Sequence, residues 1–257
     1  MNSYLEHRFG LRGRVALVTG SSQGLGRAMA HALAQAGADV IINGRDPAKL
    51  KPVVAELEAS GMKAHAIAAD LGKRDDVKRL IAEALAWQGR LDILVNNAGI
   101  IKRTPARDYS DADWDEVINV NLDGVFTASR EAGRHMLDRG SGKIINIASL
   151  LTFFGGITVP AYAASKGAVG QLTKALSNEW SGKGVQVNAI APGYMRTDNT
   201  AALQADAVRS KEILSRIPAG RWGEPGDLEG AVVFLASPAS DYLTGQVIAV
   251  DGGWCAR

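Results

Sequence analysis

Three residues in the second half of the chain could move a proton together. Tyr162 and Lys166 lie four positions apart in Tyr-Ala-Ala-Ser-Lys, a spacing that places both on one face of a helix. An ammonium beside a phenol favours the phenolate, so Lys166 is expected to make Tyr162 ionise more easily. Ser149, which follows the apolar run Ile144–Ile147, could hydrogen-bond the same substrate oxygen. These three groups, directed at one point, would serve proton transfer to a ketone or from an alcohol.

Each of the three residues also has an ordinary structural explanation. Tyr-x-x-x-Lys is a common pattern on helix surfaces and is weak evidence by itself. A serine that ends a strand is often a cap or a turn residue. The chemical interpretation therefore depends on the elements that would hold these side chains.

Short apolar runs alternate with longer helical stretches along the chain. Seven runs are predicted to be strands: Val15–Val18, Val40–Ile42, His65–Ala68, Ile93–Val95, Ile144–Ile147, Val185–Ile190 and Val247–Val250. Helices are predicted between them, at Arg27–Ala36, Pro47–Ser60, Asp75–Trp87, Asp111–Met136 and from Tyr162 to Trp180. Continuous Val and Ile runs between helices indicate strands covered on both faces, hence a parallel sheet. The sequence predicts an α/β fold: a single Rossmann-type domain over residues 1–257, with a doubly wound parallel sheet of about seven strands and helices on both faces.

The segment between the first strand and the first helix could hold a pyrophosphate. It contains Thr-Gly-Ser-Ser-Gln-Gly-Leu-Gly (Thr19–Gly26), in which glycines let the backbone turn tightly and approach phosphate oxygens. The second strand ends in Ile-Asn-Gly-Arg, with no carboxylate before Asp46 to hold a ribose 2′-hydroxyl. Arg45 could instead pair with a 2′-phosphate, which favours NADP. The alternative is a solvent-facing arginine beside Asp46.

One segment, at about 194–227, interrupts the alternation of strands and helices. It follows the sixth strand and contains a mostly polar helical piece before Ile-Pro-Ala-Gly-Arg-Trp-Gly (Ile217–Gly223). An insertion after the carboxyl end of a parallel strand lies over the ligand crevice. This segment could cover the substrate as a lid, and the alternative is a surface excursion packed on the fold.

Composition narrows the class of protein. The chain has 257 residues and a formal net charge of +2, too mild to indicate binding to nucleic acid or to an anionic membrane. Cys255 is the only cysteine, so no internal disulfide can form, and we expect no metal site. No apolar run approaches the roughly 18 residues of a membrane span, and the first residues lack the apolar core of a signal peptide. A soluble cytoplasmic protein is the expectation.

Taken together, these motifs resemble the classical short-chain dehydrogenase/reductase family over the whole chain. The shared motifs are Thr-Gly-x-x-x-Gly-x-Gly at Thr19–Gly26, Asn-Asn-Ala-Gly at Asn96–Gly99, Asn121 in Asn-Val-Asn-Leu, Ser149, Tyr162-x-x-x-Lys166 and Pro192-Gly193. The resemblance implies a nicotinamide cofactor and interconversion of an alcohol and a carbonyl compound. It places the following residues at the cofactor: Gly20, Ser22, Gln23, Gly24, Leu25, Gly26, Arg45, Asp70, Leu71, Asn97, Ala98, Gly99, Tyr162, Lys166, Pro192, Gly193 and Thr197.

The resemblance also implies roles for four catalytic residues. Tyr162 acts as the general acid or base, and Ser149 stabilises the developing oxyanion. Lys166 biases Tyr162 towards ionisation and holds the nicotinamide ribose. Asn121 resembles the family residue that holds a water in the proton relay, although an asparagine at a helix bend is also often structural.

The carboxyl half resembles the branch of the family that acts on sugar acids of the gluconate, 2-deoxygluconate and 2-dehydro-3-deoxygluconate type. A hydroxylated carboxylate requires a cation, and Arg103 or Lys102 could supply it, with Arg196 and Arg221 as alternatives. The expected substrate-binding residues are Ser149, Tyr162, Arg103 and Met195. Relatives in the deoxygluconate group favour NAD, whereas Arg45 favours NADP, so both cofactors stay open.

Two other functions stay open at this point. One is a 3-oxoacyl-carrier-protein reductase or another carbonyl reductase of the family. The other is a non-catalytic protein that senses a nucleotide, although a sensor needs no proton relay. The resemblance further implies a homotetramer, and the apolar tail Gly253-Trp254-Cys255 would suit an interface.

Overall fold

The seven predicted strands form one parallel sheet in the computed structural model, which describes residues 3–256. The strands are β1 (Val15–Val18), β2 (Asp39–Gly44), β3 (Ala64–Ala68), β4 (Ile93–Asn96), β5 (Gly142–Ile147), β6 (Val185–Pro192) and β7 (Val247–Val250). Their order in the sheet is β3-β2-β1-β4-β5-β6-β7, and every neighbouring pair is parallel. The prediction of a doubly wound parallel sheet is confirmed.

Helices cover both faces of this sheet. They are α1 (Ser3–Phe9), α2 (Gly24–Gln35), α3 (Pro47–Ala59), α4 (Arg74–Gln88), α5 (Asp111–Ile118), α6 (Gly124–Arg139), α7 (Pro160–Trp180), α8 (Ala201–Ala205), α9 (Ala207–Arg216) and α10 (Glu229–Ala236). One apolar core lies under α2, α3 and α10, and a second lies under α4, α6 and α7. No helix within residues 3–256 is long and apolar enough to cross a bilayer.

Strand β1 shows why the strands are uniformly apolar. Ala16 and Val18 belong to the core under α2, whereas Val15 and Leu17 belong to the core under α4. Successive side chains of a strand point to opposite faces, so both faces require apolar residues when both are covered. The continuous apolar run in the sequence therefore reflects a strand that is covered by helices on both faces of the sheet.

The helix predicted at Asp111–Met136 is interrupted. A π turn over Asn119–Asp123 separates α5 from α6. The π turn contains the buried side chain of Asn121, which hydrogen-bonds the backbone of Ile100. A Cβ at Gly124 would lie 2.6 Å from the carbonyl oxygen of Leu71, so the helix packs closely here. The spacing of apolar residues in the sequence does not reveal a widened turn of this kind, so the sequence predicts one continuous helix.

A buried carboxylate joins the amino ends of the strands. Asp92 is 1% exposed; its carboxylate accepts the backbone N–H of Val15 at 2.8 Å and hydrogen bonds from Arg90 and Arg139. Burial raises the pKa of Asp92, but the hydrogen bonds from Arg90, Arg139 and Val15 outweigh it and hold the pKa below its usual value. The folded state therefore favours the ionised carboxylate of Asp92.

We expect Asp92→Asn to destabilise the protein by about 3 kcal/mol at pH 7, because it leaves buried donors without their charged acceptor. A carboxylate with a lowered pKa stabilises the fold above its unfolded pKa of about 4, and this contribution is lost as the pH falls through the folded pKa. The wild type should therefore exceed Asp92→Asn in free energy of unfolding by the full amount at pH 7, and the difference should shrink below pH 4. Urea denaturation of both proteins at several pH values measures this difference.

Asp75→Asn is the matched control for this substitution. Asp75 is 98% exposed and, within residues 3–256, pairs only with Lys78, so its loss should change stability by about 0.5 kcal/mol or less. Equal effects of the two substitutions would contradict the role given to Asp92.

Candidate active site

A cleft of about 580 Å³ opens at the carboxyl edge of the sheet, where β1 and β4 lie side by side and the winding direction reverses. All seventeen residues that the sequence assigns to the cofactor line this cleft, and so do Ser149 and Met195. Asn121 and Arg103 do not line it.

Thr19 and Asn97 fix the glycine-rich loop to the neighbouring strand. The Thr19 hydroxyl accepts the backbone N–H groups of Asn97 and Ala98, each at 3.0 Å. The Asn97 side-chain amide donates to the carbonyl oxygens of Thr19 and Gly20. A Cβ at Gly26 would lie 2.4 Å from that amide, which explains why glycine is required there. Asn97 therefore shapes the loop with its side chain.

The start of α2 has the features that an anionic group requires. Its N-cap residue, Gln23, forms no capping hydrogen bond with the helix, so no side chain covers the first amides there. Gly24 has φ +57°, and a Cβ there would meet only Thr197, at 3.8 Å. A side chain at this position would project into open space beside the helix N-terminus. The residues present thus fit the pyrophosphate of a dinucleotide.

Two cations lie at the end of β2. Arg45 and Lys49 are both exposed and both line the cleft, and neither forms an ion pair within residues 3–256. Asp46 does not pair with Arg45; its carboxylate accepts the backbone N–H of Ala48 and caps α3. The sequence-based prediction missed Lys49, which lies in the first turn of α3.

Ser149, Tyr162 and Lys166 meet at the opposite end of the cleft. The Ser149 hydroxyl lies near enough to the Tyr162 phenol to lower its pKa, and it caps the short turn after β5 by accepting the N–H of Leu151. The Lys166 ammonium lies 5.7 Å from the centre of the Tyr162 ring and donates to the carbonyl oxygen of Ile147 at 2.6 Å. Lys166 is 4% exposed. The structure therefore brings the three predicted groups together.

Burial dominates the ionisation of this pair. It raises the pKa of Tyr162, and the hydrogen bond with Ser149 and the charge of Arg103 offset only part of that rise. Burial also lowers the pKa of Lys166 to about 8. The direction for Tyr162 is opposite to the one expected from the sequence, because the phenolate loses hydration and Lys166 directs its ammonium to the backbone.

A hydrogen-bonded network lies directly behind the three residues. The Asn96 amide donates to Ser129 and to the side-chain oxygen of Asn146, and the Asn146 amide donates to the hydroxyl of Thr173, each at 2.9 Å. All four side chains are buried. The network thereby joins β4, β5, α6 and α7 and sets the register of α7, which carries Tyr162 and Lys166.

Asn121 lies behind the cleft wall. Its side chain accepts the N–H of Ile100 at 2.8 Å and donates to the carbonyl oxygen of Ile100 at 2.9 Å and to Ser165. These contacts occupy the side chain within the fold. A water in a proton relay would therefore have to be held by the backbone of Asn121.

The first part of the segment 194–227, Met195–Thr200, lines the cleft. The segment contains α8 and α9, and a parallel bridge between Met195 and Gly223 joins its two ends. Two side chains reach it from elsewhere in the chain: Gln23 donates to the carboxylate of Asp198 at 2.8 Å, and Arg103 donates to the carbonyl oxygen of Asn199 at 3.4 Å. That the segment covers the substrate as a lid stays a prediction.

Of the four cations considered for a substrate carboxylate, three are already paired. Lys102 contacts Asp113 and Glu116, Arg196 contacts Glu224, and Arg221 contacts Asp227. Arg103 forms no ion pair with any residue in the described part of the chain. Its charge acts on the pKa of the Tyr162 phenol. Within residues 3–256, no cluster of three His, Cys, Asp or Glu side chains is arranged to hold a metal ion.

Comparison with known proteins identifies close relatives. The sequence pattern described as short chain dehydrogenase matches residues 14–208. The chain is 54% identical to the 2-dehydro-3-deoxy-D-gluconate 5-dehydrogenase of Pseudoalteromonas atlantica over 251 residues, which is 97% of this chain and 99% of that protein. It is 53% identical to the protein of the same name from Escherichia coli, over 97% of this chain and 98% of that protein.

A solved structure shows the same architecture. The gluconate 5-dehydrogenase of Burkholderia cenocepacia, in complex with NADP and tartrate, superimposes with a TM-score of 0.95 at 44% identity. The alignment covers 98% of this chain and 99% of that one.

Proposed function

The chain belongs to the short-chain dehydrogenase family, and from that premise we propose that it is an NAD(P)-dependent oxidoreductase that interconverts a secondary alcohol and a ketone on a sugar acid. The observation that carries the proposal is the convergence of the Tyr162 phenol, the Ser149 hydroxyl and the Lys166 ammonium at one end of the cleft. The exposed Arg103 does not line the cleft, but its charge acts on the Tyr162 phenol. The names of the relatives support a substrate of the gluconate or 2-dehydro-3-deoxygluconate type.

The protein's own part in the reaction is to orient the substrate and to move a proton. A bound nicotinamide would supply or accept the hydride. In reduction, Tyr162 donates its phenolic proton to the carbonyl oxygen while the Ser149 hydroxyl stabilises the growing negative charge there. The raised pKa of Tyr162 keeps the proton on the phenol until the oxygen becomes basic. In oxidation the same groups act in reverse.

Lys166 would act from behind the phenol. Its ammonium lies between the Tyr162 ring and the carbonyl oxygen of Ile147, where a nicotinamide ribose could accept a further hydrogen bond. A pKa of about 8 leaves a large fraction of Lys166 charged at neutral pH. That charge would favour the tyrosinate that remains after proton transfer.

The cofactor proposed is NADP. Arg45 and Lys49 supply two positive charges at the corner of the cleft where a ribose 2′-phosphate would lie, and no carboxylate follows β2 before the capping residue Asp46. NADP is present in the complex of the Burkholderia relative. NAD is the alternative.

The proposed assembly is a homotetramer located in the cytoplasm, and the family resemblance is its only support. The C-terminal tail offers less to an interface than expected, because Trp254 is 6% exposed within its own chain. Trp114 of α5 and Phe126 of α6 expose 41% and 40% of their surface, so these helices have the apolar area that a subunit contact needs.

A panel of substrates tests the reaction. We expect reduction or oxidation of gluconate-type acids, followed by nicotinamide absorbance, and no turnover of an acetoacetyl thioester. Tyr162→Phe removes the proton donor and little volume, so it should lower turnover at least about a hundredfold, within the range of general acid–base catalysis, with the NADP dissociation constant nearly unchanged. Activity on the thioester alone would favour the carrier-protein reductase.

Arg103 should bind the substrate carboxylate. A charge-assisted hydrogen bond contributes about 1.5–3 kcal/mol, so Arg103→Ala should raise KM for the sugar acid about ten- to a hundredfold. Lys102→Ala is the control, because Lys102 is the neighbouring cation but already has two acidic partners. A KM that changes equally in both variants would argue against a specific role for Arg103.

Arg45 should distinguish the two cofactors. Arg45→Ala should weaken NADP binding about ten- to a hundredfold and leave NAD binding nearly unchanged, since only NADP carries the 2′-phosphate. Lys49→Ala should have the same selective effect to a smaller degree. Lys51→Ala is the control, because Lys51 is exposed on α3 and does not line the cleft. Equilibrium dissociation constants of both cofactors provide the measurement.

A carboxylate at position 44 should act in the opposite direction. A Cβ at Gly44 would lie 3.1 Å from Leu50 and 3.5 Å from the Ser22 hydroxyl, so a side chain fits after a small shift of Leu50. Gly44→Asp should repel the 2′-phosphate and favour NAD.

The Arg45 variant also tests the choice of cofactor. If Arg45→Ala weakened the binding of NADP and of NAD equally, NAD would become the leading cofactor.

A further inference from the structure

Trp254, near the end of the chain, lies between the insertion and the catalytic serine. It is 6% exposed and belongs to a small apolar cluster that is separate from the two cores of the sheet. The cluster contains Leu150, Ile213, Ile217, Trp222 and Trp254, with Tyr194 and Leu203 packed against it. Leu150 is the residue after Ser149, whereas Ile213 lies on α9 and Ile217 directly after it. The cluster that contains Trp254 therefore links the turn after Ser149 with α9.

Aromatic contacts hold the indole in place. The Tyr194 ring lies 4.7 Å from the Trp254 ring and 5.6 Å from the Trp222 ring, centre to centre. The Arg216 guanidinium, at the last residue of α9, lies 4.2 Å from the centre of the Trp254 ring. A guanidinium over an indole face is attracted by the ring's electron density. Tyr194 and Trp222, at the two ends of the insertion, thus contact each other, and Tyr194 also contacts Trp254.

The chain around Trp254 is itself fixed to the sheet. Asp251, directly after β7, accepts the backbone N–H groups of Gly253 and Cys255, each at 2.8 Å. Gly252 and Gly253 have φ +65° and +90°, which turn the chain back towards α9. The carbonyl oxygen of Gly252 then accepts the N–H of Ala219 at 2.9 Å. The indole is held by the sheet as well as by the insertion.

We propose that Trp254 is a positioning residue that fixes the distance between the insertion and the Ser149 turn, and thereby sets the affinity for the substrate. The inference rests on the proposed function for its effect on catalysis, but the coupling between Trp254 and α9 can be measured without turnover. Trp254 does not line the cleft, so it would act through Leu150 and α9 rather than by touching the substrate.

Substitution of the indole separates this role from general stability. In Trp254→Ala, amide hydrogen exchange in residues 207–216 should become at least about tenfold faster while exchange in 142–147 stays unchanged, because only local opening becomes easier. KM for the sugar acid should rise about tenfold, equivalent to 1.4 kcal/mol, with the NADP dissociation constant within about twofold of the wild type. Trp254→Phe keeps a buried ring and should recover most of both effects.

Tyr242→Ala is the matched control, because Tyr242 is fully exposed and lies in the same C-terminal region. It should leave both measurements unchanged. Unaltered exchange in 207–216 in Trp254→Ala would overturn the proposal, and so would an equal acceleration throughout the sheet. If the wild type turned over no sugar acid, the proposed function would fail while the exchange data still decided the coupling.

Discussion

The active site depends on a buried set of hydrogen bonds that fixes one helix against two strands. Tyr162 and Lys166 lie on α7, whereas Ser149 follows β5, so their mutual geometry requires one register between helix and strand. The hydrogen bonds from Asn96 to Asn146 and from Asn146 to Thr173 provide that register. An apolar contact would tolerate a slide of the helix, but a buried amide without its partner costs about 1–3 kcal/mol. Directional bonding therefore makes the site geometry unique.

The same principle governs the cofactor end of the cleft. Side chains that the sequence suggested as ligand contacts are largely engaged with the backbone: Asn97 holds the glycine loop, and Asn121 holds Ile100. The lining of the cleft includes the backbone at Gly24 and the exposed cationic side chains of Arg45 and Lys49. Rigid polar residues shape the cleft, and the exposed charges set its selectivity.

The sequence predicts the sheet and the cleft well because the controlling patterns are local. The seven apolar runs form seven strands, and the glycine-rich turn after β1 lines the cleft, as the sequence predicts. Three features had no such signal: the π turn at Asn119–Asp123, the pKa direction of Tyr162 and the burial of Trp254. Each of these features depends on residues that are distant in sequence. The hydration of the Tyr162 phenol and the residues that pack against the Trp254 indole are set by the tertiary structure, so the local sequence does not predict them.

Strand β1 also constrains how the chain can fold. One edge of β1 pairs with β2, which is close in sequence, whereas the other edge pairs with β4, which is synthesised much later. The N–H of Val15, at the start of β1, likewise donates to the carboxylate of Asp92, 77 positions further along the chain. During synthesis, β1–β3 can assemble first and will present an open, apolar strand edge until β4 emerges. An unpaired edge of this kind invites association with other chains. Strand β1, which lies inside the finished sheet, thus has an open edge during folding until β4 pairs with it.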